Sequence, residues 1–315
     1  MVVPLNGRML LSMHRTTDMT CMTQLRFSRW GFWLSALIFL LCTALWLTTF
    51  PDLYSSAQAP LWIPLGVYLL AHCLRAIRLS VLLGARQLRP LLGMYFYTAA
   101  CSAIIPFKLG ELVRINEVAW WTNSYWKGLL IVWVERVFDV AALILLALLA
   151  FALSPYLPGQ LDVLLWAMGG FVLLTLVVFF IVPEQLASLN LHVMRSYQGR
   201  KAIGILRLLD SFQQLLDQAR PLLSGKTVTL SLLTILIWLA ELSAYALLFQ
   251  DAPWRDGTQA LVMQLTLALG STASIELLPA VAQLDHARLL LLVCMGVIAL
   301  GIYTKMRQRL HNSPP

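Results

Sequence analysis

The segment Pro106–Arg114, with the sequence PFKLGELVR, carries three charged side chains inside an otherwise apolar region of the chain. These side chains are Lys108, Glu111 and Arg114. Pro106 and Gly110 predict a break in the backbone helix within the same segment. Because an uncompensated charge in lipid costs about 2.5–3.5 kcal/mol per residue, charges at this position predict a buried polar site.

A second charged cluster, Glu135, Arg136 and Asp139, follows inside the next apolar span. At helical spacing these three side chains share one face, within an arc of about 100°. Two acids in lipid need a cation, which Arg136 can supply, as can Lys108 or Arg114. Two interpretations stay open. The acids either hold the arginines so that N–H donors face a lipid phosphate, or close an ion-pair lock.

The composition places the chain among membrane proteins. It has 315 residues, of which 59% are hydrophobic and 12% charged, whereas soluble proteins carry roughly 25% charged residues. Several apolar runs reach the ~20 residues that cross a bilayer as a helix. We predict an all-α polytopic membrane bundle, with about six full spans and two re-entrant hairpins among eight or more hydrophobic segments.

The distribution of Lys and Arg predicts the orientation and the segments. We expect a basic cytoplasmic segment at 1–29, one transmembrane domain at 30–304 with a cytoplasmic amphipathic connection at 183–226, and a basic cytoplasmic tail at 305–315. The connection either lies on the membrane surface or packs against the bundle. We favour an uncleaved first helix over a signal peptide, because its apolar core is long enough to span. A multi-pass protein with both termini cytoplasmic is the result, and we expect it in the bacterial inner membrane.

Counting crossings predicts the two hairpins. Residues 91–127 must leave the cytoplasm and return to it, and Leu91–Ile105 is only ~22 Å long as a helix, shorter than a ~30 Å hydrocarbon core. A re-entrant hairpin turning near Pro106–Gly110 satisfies this count, and two tilted full spans are the alternative. The same count makes 257–284 a second hairpin, entered from outside. Hairpins from both sides are typical of inverted-repeat transporters.

Further charged residues lie in other apolar spans. Arg75 and Arg78 lie near the end of the predicted second helix, about 61–83, and Glu241 lies within the predicted span 227–249. The two arginines either extend to the interface or face a polar cavity and an anionic head group.

Other classes of function find little support. The net charge of +8 follows from basic loops and flanks, and no aromatic–basic module indicates nucleic acid. The five cysteines and five histidines lack ligand spacing, so we predict no metal and no cofactor. No catalytic motif is present, and acids at i, i+4 beside an arginine more often form an ion-pair network than an acid–base pair.

The two charged clusters together resemble the transmembrane region of lysylphosphatidylglycerol synthases, a family that includes stand-alone flippase-like proteins. Its pattern, Pro-x-Arg/Lys-x-Gly-Glu-x-x-Arg and then Glu-Arg-x-x-Asp, is matched by Pro106–Arg114 and Glu135–Asp139. The resemblance covers about residues 25–305. It implies movement of lipids or lipid-linked molecules between leaflets, and it implies a polar core formed by Lys108, Gly110, Glu111, Arg114, Glu135, Arg136 and Asp139.

The second half departs from the family pattern. Relatives usually have a Pro/Gly-rich segment ending in Glu, whereas residues 270–276 read GSTASIE here, with Glu276 at the matching end. The soluble aminoacyl-transferase domain of the full-length synthases is lacking, which by this resemblance implies no aminoacylation of lipid.

These observations support three hypotheses. The first is a lipid flippase or transporter for an anionic or zwitterionic phospholipid or a lipid-linked sugar. The rivals are a membrane-embedded transferase and a non-transporting scaffold for an envelope-lipid biosynthetic enzyme, and a homodimer or an envelope-biosynthesis partner stays open. The predicted head-group residues are Lys108, Arg114, Arg136, Arg75 and Arg78. The predicted supporting acids are Glu111, Glu135, Asp139, Glu241 and Glu276, with the backbone break at Pro106 and Gly110.

Overall fold

The computed structural model describes residues 30–48, 61–153 except 86, 160–181, 222–249 and 279–312, with a few short stretches besides. All regular structure in these residues is helical, which confirms the predicted all-α fold. The helices are α1 (Trp30–Thr48), α2 (Trp62–Leu83), α3 (Leu88–Ile104), α4 (Gly110–Thr122), α5 (Tyr125–Leu153), α6 (Gln160–Leu176), α7 (Thr227–Ala246) and α8 (Pro279–Asn312). A π turn, Val177–Ile181, extends α6.

Four of the described helices are long and apolar enough to cross a membrane. They are α1 with 19 residues, α2 with 22, α7 with 20, and the 28 residues Val281–Gln308 of α8. At 1.5 Å per residue, about 20 residues cover the ~30 Å hydrocarbon core. The chain is therefore a helical membrane protein. The connection 183–226 and most of 257–284 lie outside the described residues, so the predicted number of spans stays a prediction.

Helices α3 and α4 are joined where the sequence predicts a backbone break. Ile105 is extended with ψ 122° before Pro106, as a residue preceding proline prefers, and Phe107 has a left-handed φ of 58°. A side chain at Gly110 would overlap the backbone of Cys101 and Ser102, so only glycine fits this close approach. With 13 residues α4 is shorter than a full span, and α3, with 17, is at the lower limit. Their depth in the membrane stays a prediction.

Helices α2 and α7 pack against each other in antiparallel directions. Three side-chain contacts establish the register, joining Arg75 to Glu241, Arg78 to Thr234, and Lys226 to the carbonyl of Val81. Residue numbers rise along α2 as they fall along α7. The charged part of α2 therefore packs against α7.

The chain divides into two compact units. Unit 1 comprises Met1–Phe50, Gly93–Leu129 and Leu292–Pro315, and its core includes the aromatic rings of Phe32, Phe39, Tyr97 and Tyr303. Unit 2 comprises Pro51–Leu92 and Leu130–Leu291. Its described core contains Leu143, Trp238, Leu242, Tyr245, Ala260, Leu261, Val281 and Leu284.

Helix α8 differs from the predicted last segments of the chain. It begins at Pro279, inside the range predicted as a second hairpin, and it continues to Asn312, beyond the predicted start of a basic tail at 305. Proline fits the first turn of a helix, where its missing N–H is not needed. Because the helix continues, Arg307 lies in a packed part of unit 1 and is only 7% exposed.

Candidate functional site

Arg78 of α2 is the main cation partner of the second charged cluster. Its Nη1 and Nη2 donate to Oδ1 and Oδ2 of Asp139 at 2.6 and 3.0 Å, a bidentate pair. Nη1 also donates to the hydroxyl of Thr234 at 3.0 Å. Arg78 is 2% exposed, so its guanidinium is packed against protein. Bidentate arginine–carboxylate pairs are among the strongest hydrogen-bonded contacts in proteins.

The two other members of this cluster lie around the Arg78–Asp139 pair. Glu135 is 2% exposed, and its Oε1 is 3.8 Å from Nε of Arg78, which is an ion pair but not a hydrogen bond. Arg136 contacts Oδ2 of Asp139 at 3.5 Å, and its side chain is 40% exposed. The sequence predicts Arg136, Lys108 or Arg114 as the cation for these acids. Among the described residues Arg78 makes the shortest contact with Asp139, and Arg136, with 40% of its side chain exposed, is the more accessible partner.

A second set of charges in unit 2 connects α2, α7 and α8. Nη1 of Arg75 donates to Oε1 of Glu241 at 2.8 Å. The other oxygen of Glu241 is 3.7 Å from Arg288, which also lies 3.9 Å from Asp285. The hydroxyl of Tyr245 donates to Asp285 at 2.8 Å. Each acid therefore has one close donor and one more distant arginine.

Together these residues form what we call the unit 2 charge network. Its basic members are Arg75, Arg78, Arg136 and Arg288, and its acidic members are Glu135, Asp139, Glu241 and Asp285. Four positive and four negative side chains give a formal charge of zero. A network with balanced charges tolerates a low-dielectric surrounding. Its arginines already contact more than one group, so they can also donate hydrogen bonds to an anion that enters.

The predicted residues of the hairpin lie in unit 1. Glu111 is in the first turn of α4, where the helix dipole stabilises a negative charge. Arg114 is 5% exposed, and its guanidinium lies 5.5 Å from the ring centroid of Tyr95. Lys108 ends the 3₁₀ turn Pro106–Lys108, and its side chain lies outside the described part of the chain, as does Glu276. The predicted meeting of the hairpin charges with the helix charges stays a prediction.

Sequence reasoning missed several buried polar residues. Glu117 is fully buried in unit 1 and accepts hydrogen bonds from Arg307 at 2.6 Å, Tyr303 at 2.8 Å and Asn116 at 2.9 Å. Arg288 and Asp285 of the unit 2 charge network were not predicted either. Glu117 falls three residues after Arg114, on the same face of α4, and this spacing was the available signal.

A family model described as the Lysylphosphatidylglycerol synthase TM region matches residues 29–284. The match includes both charged clusters and α2 through α7, whereas Arg288, Tyr303 and Arg307 lie beyond its end. No curated protein and no solved structure matches the chain.

Proposed function

Because the chain belongs to the lysylphosphatidylglycerol synthase transmembrane-region family and so has a membrane lipid-related function, we propose that it moves lipid between membrane leaflets. The cargo is an anionic or zwitterionic phospholipid or a lipid-linked head group, and the membrane is the bacterial inner membrane. The unit 2 charge network provides the polar surface for the head group, while the acyl chains stay in lipid.

The observation that carries this proposal is the buried arginine–carboxylate network itself. Ionisable side chains within membrane segments are costly and therefore rare, so a cluster of them indicates a pathway for a polar solute. Arginine binds phosphate with the same fork geometry with which it binds carboxylate. A lipid phosphate can therefore take the place of a carboxylate without leaving a buried arginine uncompensated.

Arg136 is the member best suited to receive a head group first. Its side chain is 40% exposed, and its contact with Asp139, at 3.5 Å, is the longest hydrogen bond that Asp139 accepts among the described residues. A long, partly solvated contact is weak. A phosphate can therefore recruit Arg136 while Asp139 keeps its bidentate pair with Arg78.

The test is leaflet exchange of a fluorescent phospholipid in proteoliposomes, followed by chemical quenching of the outer leaflet. We expect wild-type protein to accelerate exchange over protein-free liposomes, and Arg136→Ala to slow it about tenfold, the value of one charge-assisted hydrogen bond. Arg89→Ala is the matched control, because Arg89 is an exposed arginine at the start of α3 outside the network. Wild-type exchange no faster than in protein-free liposomes refutes the function, and full exchange by Arg136→Ala refutes the role of Arg136.

A further inference from the structure

Arg288 packs against two aromatic rings, and its guanidinium forms no hydrogen bond with the other described residues. Its Cζ lies 4.1 Å from the ring centroid of Tyr245 and 4.8 Å from that of Tyr68. The residue is only 4% exposed. Two aromatic contacts hold the cation in place without using its N–H bonds, which leaves these bonds for other partners.

The acids beside Arg288 do not use those N–H bonds. Glu241 and Asp285 lie 3.7 and 3.9 Å from Nη1, beyond hydrogen-bond distance. Both acids already have closer donors, Arg75 and Tyr245, each at 2.8 Å. Glu241 and Asp285 therefore balance the charge of Arg288 while they accept hydrogen bonds from Arg75 and Tyr245.

Two donor atoms of Arg288, Nε and Nη2, are buried and have no hydrogen-bond partner among the described residues. These two atoms lie along one edge of the guanidinium plane, and their N–H bonds are parallel. This edge is the one with which arginine binds carboxylate or phosphate in a side-on bidentate manner. Leaving two buried charged donors without acceptors is costly, so the arrangement favours an oxyanion ligand.

We propose that the Nε–Nη2 edge of Arg288 is an oxyanion subsite that binds the phosphate of a membrane lipid. The inference rests on the proposed function for its choice of a lipid as the source of the phosphate. The residues that contact Arg288 or its partner Glu241 are partly accessible, because Tyr68 is half-buried and the side chains of Arg75 and Asp285 are 19% and 22% exposed. Arg75 adds a second positive charge nearby, because it pairs with the other carboxylate oxygen of Glu241.

The experiment measures binding to the purified full-length protein in a neutral detergent. The probes are dioctanoyl phosphatidylglycerol, dioctanoylglycerol with the same tails but no phosphate, and inorganic phosphate. The readouts are the shift in unfolding temperature and the mass of the bound ligand in native mass spectrometry. We expect phosphatidylglycerol to bind and dioctanoylglycerol not to bind. Competition by inorganic phosphate would show that the oxyanion alone is recognised. If inorganic phosphate does not compete, the site recognises the phosphate only as part of the lipid head group.

Arg288→Lys keeps the charge but loses the two-donor edge, so it should weaken phosphatidylglycerol binding about tenfold. Tyr68→Leu keeps Arg288 but removes one clamping ring, and it should weaken binding several-fold even if Arg288→Lys fails to fold. Arg89→Lys, at an exposed arginine, should bind like wild type. Equal affinity in wild type and in the variants that fold overturns the subsite. Because no leaflet exchange is measured, a failure here is separate from a failure of transport.

Discussion

Two buried arginine–carboxylate clusters, one in each unit, differ in how completely their hydrogen bonds are made. In unit 1 both oxygens of Glu117 accept hydrogen bonds, and Arg307 is covered by the rings of Phe32 and Trp120 at 4.5 and 4.7 Å. In unit 2 the Nε and Nη2 atoms of Arg288 have no hydrogen-bond partner among the described residues. The cluster in unit 1 therefore stabilises the fold. The cluster in unit 2 has hydrogen-bond donors that a ligand can use.

The difference teaches that burial of charge alone does not identify a binding site. Glu117 is as buried as any member of the unit 2 charge network, yet its neighbours satisfy it, and Tyr125 donates in turn to Asn116 at 2.9 Å. A closed set of this kind rigidifies its surroundings. An incompletely satisfied set can change partners at lower cost, which is what a polar solute in transit requires.

The largest effect that tests this comparison is expected from Glu117→Leu. Removing one partner of a buried ion pair leaves the other charge uncompensated, so the free energy of unfolding should fall by about 3–5 kcal/mol. Asp139→Leu should cost less, because Glu135 remains near Arg78. Tryptophan fluorescence during denaturant unfolding in detergent measures both variants.

The control is the double variant Glu117→Leu/Arg307→Met, which removes both charges. It should be more stable than Glu117→Leu alone, since apolar replacement of a whole buried pair is often neutral. Equal losses for Glu117→Leu and Asp139→Leu would mean that the two clusters are equally closed, and the comparison would be wrong.

A smaller effect is expected when one tyrosine hydroxyl is removed from each unit. Tyr303 donates to the fully buried Glu117, and Tyr245 donates to Asp285, whose side chain is 22% exposed. Tyr303→Phe should lower the free energy of unfolding by about 1.5–3 kcal/mol, the range for a hydrogen bond to a charged group. Tyr245→Phe should cost only about 0.5–1.5 kcal/mol, because solvent can reach the carboxylate. A larger loss of stability for Tyr245→Phe than for Tyr303→Phe would mean that the stronger hydrogen bond to a carboxylate lies in unit 2.

Two glycines, one in each unit, differ in how closely a neighbouring helix approaches them. A methyl group at Gly110 of unit 1 would meet the backbone of α3, whereas one at Gly66 of α2 has nothing within 4 Å. Gly110→Ala should therefore destabilise by about 1–3 kcal/mol, and Gly66→Ala should stabilise by up to about 1 kcal/mol through helix propensity. Thermal unfolding of the two variants, measured side by side, checks the pair. A neutral Gly110→Ala would show that the motif glycine is not needed for packing.

The sequence predicts the helices and the backbone break well, because both follow from local chemistry. Apolar runs of about 20 residues need no partner to be recognised, and proline and glycine act on the backbone at their own positions, as at Pro106 and Gly110. The family assignment also came from local motifs, since each cluster lies within a few residues of chain.

The partners of the charges could not be predicted, because pairing joins distant parts of the chain. Asp139 pairs with Arg78, 61 residues earlier, and Glu117 pairs with Arg307, 190 residues later. An arginine near a helix end looks the same in sequence whether it is buried or extends to the interface. The sequence therefore leaves two interpretations for Arg78, and it does not link Arg307 to Glu117.

The smallest stability effect, and the sharpest functional one, is expected from Arg136→Lys. Because the Arg136 side chain is 40% exposed and its contact with Asp139 is 3.5 Å long, the free energy of unfolding should change by no more than about 1 kcal/mol. Leaflet exchange should nevertheless slow several-fold, since lysine keeps the charge but cannot bind phosphate with two parallel N–H bonds. Arg78→Lys is the contrasting variant, since it breaks the buried bidentate pair and should lose stability as well as exchange. If Arg136→Lys lost as much stability as Arg78→Lys while leaflet exchange stayed normal, Arg136 would have a structural role, and the head group would have to enter elsewhere.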